Sequence, residues 1–185
     1  MSLLPNCEIL YFVSDRAKAL INLAKQKNKV PSVADIFHFK YNINKLLCLA
    51  LSSKLRSSRL KIKELGAKDI AKNCIGLTKS QHEEAYASIQ FHTDLYVETM
   101  SNISQTIHPY THGNRLQTKQ NAMLEMNTNL SNIEQVIDAC QIKDTYQLFR
   151  KSKNQLEDVV EVIPLWHDLV TEELVSFQMG EEIKE

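Results

Sequence analysis

The chain has 185 residues, 43% of them hydrophobic, four Gly, four Pro, and 22 basic against 22 acidic side chains. That is enough apolar material for the core of one domain, too few turn formers for an all-β protein, and no run of 18 apolar residues that could cross a membrane. Cys7, Cys48, Cys74 and Cys140 form no C-x-x-C pair, and MSLLPNCEIL lacks the features of a secretory signal, so a reduced, cytoplasmic protein is expected.

Ile9 to Val13 is a continuous apolar run of strand length, rich in β-branched and aromatic residues. Ser14 and Asp15 follow as helix N-caps, and Ala17 to Ala24 reads as a helix. Asp15 thus falls at the carboxyl end of a strand and the mouth of a helix, where open α/β sheets gather ligands and catalytic groups. Simple helix capping is the alternative role. After the basic loop Lys25–Lys29, Pro31 excludes a helix interior, and Val33 to Phe37 is a candidate second strand. Strand, helix and strand in this order predict a small parallel βαβ unit, with His38 closing its second strand as a site-adjacent or structural histidine.

From Lys40 the spacing turns helical. Tyr41, Ile43, Leu46, Leu47, Ala50 and Leu51 recur at steps of three and four, and Lys45, Lys54, Arg56, Arg59, Lys61 and Lys63 crowd the other positions. A basic helix to about Leu65 with Gly66 as its stop is predicted. Thr78 to Gln81 matches a capping box. Stripes through Tyr86, Ile89, Thr93, Tyr96, Met100, Ile103 and Ile107, and through Leu116, Lys119, Met123, Met126, Leu130, Ile133, Ile137 and Cys140, predict an antiparallel helical hairpin over about 80–140. The turn His108–Gly113 joins them, and its two His have no partner at metal-ligand spacing. Asp144 can cap a further helix, Pro164 should break or kink it, and Trp166 reads as an apolar anchor. No phosphate-cradling Gly loop and no G-x-S-x-G elbow is present.

The zero net charge hides a division. Residues 1–80 hold 15 Lys and Arg against 5 Asp and Glu, 15 − 5 = +10, and residues 81–185 hold 7 against 17, 7 − 17 = −10. A polyanion partner for the first part is one reading, and mutual neutralisation of the two parts is the other.

VSDRAKAL at 13–20 followed by ADIFHFKYNINKLL at 34–47 resembles the second-aspartate segment of DDE transposases, particularly bacterial transposase-like proteins in which SDRAKAL precedes a D-x-F-H segment and a long helical insertion. The resemblance covers residues 8–47. It implies a mainly α chain with a small N-terminal βαβ unit: a partial ribonuclease-H-like α/β core over 1–45, then an all-helical insertion over 46–185. It makes Asp15 the middle catalytic, metal-binding carboxylate, for Mg²⁺ or Mn²⁺, and Arg16, Lys18, Lys40, Lys45, Lys54, Arg56, Arg59, Lys61 and Lys63 a DNA-backbone surface.

Such an enzyme needs three carboxylates around two ions. Only fourteen residues precede Asp15, and Glu172, Glu173, Glu181 and Glu182 match no motif for the third acid. The expectation is therefore a truncated or partial transposase that binds DNA non-specifically, holds metal weakly, self-associates through an open sheet edge and catalyses no strand transfer alone. A stand-alone helical protein–protein interaction module is the alternative.

Overall fold

The computed structural model describes residues 12–14, 18–29, 32–68, 79–111, 113–142 and 146–176. Phe39, Ile43, Leu47 and Leu51 stand four apart, and each is at most 2% exposed. One face of a helix is thereby committed to the interior, and the chain answers with a single helix, α2, from Ile36 to Lys68. Helix α3 (Lys79–Thr106) runs against it, and α4 (Lys119–Ala139) packs along α3. Lys40 Nζ donates to Ser104 Oγ, and Tyr96 OH donates to Asn44 Oδ1. These bonds pair a later residue of α2 with an earlier one of α3, so the two helices are antiparallel.

The α3–α4 seam is Tyr96, Ile103, Met126, Leu130, Ile133 and Ile137, all buried. One polar contact sits within it: Asn129 Nδ2 donates to Thr106 Oγ1 at 3.3 Å. Thr118 caps α4, its hydroxyl accepting from Asn121 N at 3.1 Å, so Leu116 and Lys119, expected in the seam, lie at the surface. Three shorter helices close the bundle: α5 (Tyr146–Lys153), α6 (Leu156–Val160) and α7 (Val162–Ser176). Pro164 falls in the first turn of α7, where a missing N–H is harmless. The break it was expected to cause lies just before it, at Glu161. Among the described residues no helix is long and apolar enough to cross a membrane.

The expected fold class is corrected: the described residues are mainly helical, and neither the N-terminal βαβ unit read from the sequence nor the ribonuclease-H-like core implied by the resemblance is present among them. Two three-residue extended segments, β1 (Phe12–Ser14) and β2 (Ser32–Ala34), lie parallel, with Val13 opposite Val33. A pair this short has no face to pack a layer of helices against, and it meets no further strand among the described residues. Nor is the link between them the expected crossover helix. One short turn, α1 (Lys18–Asn22), passes directly into a π-helical stretch, Leu23–Asn28, which ends at Lys29 with φ 55°. The second strand was expected to reach Phe37. Asp35 stops it: Oδ1 accepts the N–H groups of Phe37 and His38 at 2.8 and 3.4 Å and caps α2. His38 therefore lies in the first turn of α2. The division drawn at 45/46 falls inside this continuous helix, which also runs on through Gly66. The predicted caps at Thr78 and Asp144 lie outside the described residues.

Tyr96 gives the α2–α3 contact a pH signature. Burial pushes its phenol up to about 12, with the Cys48 thiolate a smaller cause in the same direction. A raised folded value favours the protonated phenol. Its contribution is fully present below the unfolded value of about 10 and is lost as pH rises through the folded one. Tyr96→Phe should cost about 1 kcal/mol at neutral pH, the net value of one hydrogen bond. It should also flatten the loss of stability that the wild type shows above about pH 10. Urea melts across pH 7 to 12 measure both.

Candidate nucleic-acid interface

Helix α2 carries eight Lys and Arg and a single acid, Glu64. Helical geometry sorts these cations by face. The core stripe uses Phe39, Ile43, Leu47 and Leu51. On the opposite side, Phe37, Tyr41, Lys45, Cys48, Ser52, Arg56, Arg59 and Lys63 recur at steps of three and four, and every one is exposed. Phe37 is 72% exposed and Tyr41 50%. The stripe thus begins with two rings and continues with four cations over roughly 39 Å, at 1.5 Å per residue.

The cations expected to form one DNA-backbone surface do not share one helix face. Lys45, Arg56, Arg59 and Lys63 share the outward stripe. Lys40 is turned toward α3 and bonded to Ser104. Lys54 is half-buried and lies close enough to Cys140 to oppose the burial that pushes its thiol up. Lys61 is exposed but off the stripe. Asp15 and Arg16 lie outside the described residues, as does the side chain of Lys18.

None of the four stripe cations pairs with a described acid. The ion pairs among the described residues are His38–Asp35, Lys79–Glu83, Lys119–Glu161 and Lys153–Glu134. None of these four joins α2 to the acidic second part of the chain.

At the N-terminal end of α2, His38 Nδ1 donates to Asp35 Oδ2 at 2.7 Å. This bond is the largest cause of the lowered Asp35 pKa; burial opposes it, and the backbone N–H groups of Phe37 and His38 each add a smaller lowering. Both carboxylate oxygens are therefore engaged in the helix start. A depressed carboxylate contributes stability above its unfolded value, near 3.9, and loses it as pH falls through the folded value. Asp35→Ala should cost about 1 kcal/mol, as for other N-caps. Asp35→Asn should keep most of the cap. The difference between wild type and Asp35→Asn should shrink as pH falls below the ordinary carboxylate range. Thermal melts from pH 2 to 7 test this.

The divalent ion implied by the resemblance was assigned to Asp15, which lies outside the described residues. Asp35, with its carboxylate committed to two amides and an imidazole, is not by itself a site for Mg²⁺ or Mn²⁺. No group of three or more His, Cys, Asp and Glu is placed to hold a metal among the described residues.

A cavity sits elsewhere. A cleft of about 400 Å³ lies between α3, α4 and the connection 107–118. Its wall includes Gln117, 1% exposed, whose amide donates to Thr106 O at 3.1 Å and Glu125 Oε2 at 3.3 Å. Gln117 Oε1 accepts from Asn121 Nδ2 at 2.7 Å, and its carbonyl bonds His167 Nε2 at 2.8 Å. With its polar atoms so engaged, Gln117 fastens the connection to α3, α4 and α7. Sequence reading passed over it, because a lone Gln before a helix cap carries no local signal of burial.

No protein-family model, curated protein or solved structure matches the chain.

Proposed function

We propose that this chain is a DNA-associated piece of a mobile-element transposase, whose own part is to hold the nucleic-acid backbone on the outward stripe of α2. The observation that carries the binding is one helix face with Lys45, Arg56, Arg59 and Lys63 exposed and unpaired with any described acid. The link to transposition rests on the phrases SDRAKAL and DIFHF alone. Cations spread along a helix neutralise phosphates and release counterions, which gives binding that is indifferent to sequence and falls steeply with salt. The test is a salt series of fluorescence anisotropy with a labelled mixed-sequence oligonucleotide. Binding near 50 mM salt that fades by about 200 mM is expected. No binding at the lower value sinks the reading.

A second reading has an observation of its own. Leu49 and Leu60, 76% and 50% exposed, flank the stripe and would suit a protein partner. Such a partner would be acidic to match α2, and its binding would compete with the oligonucleotide.

A further inference from the structure

Resting on the nucleic-acid reading, we propose that the α2 stripe takes a single-stranded rather than a duplex ligand, with Phe37 and Tyr41 stacking on unpaired bases and Lys45, Arg56, Arg59 and Lys63 holding the phosphates. Single exposed apolar residues are ordinary, and either ring alone would say nothing. Here two rings stand one helical turn apart, on the same stripe as four cations, and no carboxylate falls on that stripe.

Phe37 is also braced. Its ring meets that of His38 edge-on, with centroids 6.2 Å apart and planes at 84°. His38 in turn is tied to Asp35, which caps the helix. The first ring therefore stands on a fixed helical turn, and ordering it on a ligand costs little side-chain entropy.

The two ligand classes offer this surface different chemistry. A duplex presents phosphates along its outside and keeps its base faces stacked within. Cations can engage it, but the rings find nothing to stack on. An unpaired strand offers phosphates and free π faces together, and every base has such a face, so the contact is strong without being sequence-specific. Charge complementarity selects a polyanion, and the rings select among polyanions.

The experiment compares a labelled oligo-dT with a mixed-sequence duplex of equal length, using the full chain and fluorescence anisotropy at one salt concentration. The single strand should bind at least tenfold more tightly. Phe37→Ala with Tyr41→Ala should weaken single-strand binding by tenfold or more, roughly what lost base stacking removes, and change duplex binding by less than about twofold. Both positions are exposed, and a circular dichroism spectrum checks that the helix survives. Phe37→Leu with Tyr41→Leu keeps apolar bulk and removes the rings, and it should lose the same preference. Equal affinities, a preference for duplex, or full retention by the leucine variant would overturn the stacking proposal while leaving the cation reading intact. No binding of either nucleic acid at low salt would overturn both. Binding of poly-glutamate in preference to either would replace the nucleic acid with an acidic protein.

Discussion

Ile133→Ala should lower the unfolding free energy by about 2–5 kcal/mol, the range for truncating a fully buried aliphatic side chain. Ile133 has no exposed surface and sits mid-helix in α4, within the seam that α4 shares with α3. Removing three carbons there loses their transfer energy and leaves a cavity that two long helices cannot easily collapse around. For a domain of this size that is a large part of the total stability. Leu116→Ala is the control. Leu116 belongs to the same stripe in sequence but is 49% exposed, because α4 starts only after Thr118. Its truncation should shift stability by no more than about 0.5 kcal/mol. Urea denaturation of both variants tests the placement of the seam. Similar losses at the two positions would mean that the seam extends through 107–118.

Periodicity made the helical body legible. The stripes through Tyr96 and Ile103 and through Met126 to Ile137 are where the sequence pattern placed them, because a buried helix face must repeat at three and four. The N-terminal part was misread for a physical reason. Val33 to Phe37 has strand composition, yet Asp35 can accept two backbone N–H groups, and a helix cap ends the strand at Ala34. Composition alone does not weigh that local competition. Charge showed its sign but not its direction. Lys40 and Lys54 carry the same charge as Lys45 and Arg56, but they lie on the α3-facing and half-buried sides of one helix. Gln117 was invisible for the opposite reason, since its burial depends on partners from α3, α4 and α7 that no local window contains.

Replacing Lys45, Arg56, Arg59 and Lys63 together with Gln should abolish most binding to an oligonucleotide, with a loss of at least about tenfold near 50 mM salt. Each phosphate contact on a single strand contributes about 0.7 to the slope of log K against log salt, so four contacts contribute roughly 3. Across 50 to 200 mM salt, that contribution alone amounts to roughly fifty-fold in affinity. The variant should therefore lose affinity and flatten in slope together. Removing four exposed cations elsewhere, Lys79, Arg115, Arg150 and Lys151, changes net charge equally and should change the slope by less than about one unit. If both sets act alike, net charge and not the α2 face governs binding. Helical circular dichroism should be unchanged in either variant, since none of these side chains enters the core.

Cys48 allows the location to be measured directly, because it is exposed and lies on the stripe between Lys45 and Ser52. Cys140 is buried, and Cys7 and Cys74, outside the described residues, can be replaced by Ser. The rate at which an uncharged maleimide alkylates Cys48 is then followed with and without saturating oligonucleotide. Several-fold protection at low salt, lost again when salt releases the ligand, is the predicted result. An unchanged alkylation rate at demonstrated saturation would place the nucleic acid elsewhere and contradict the assignment of this face.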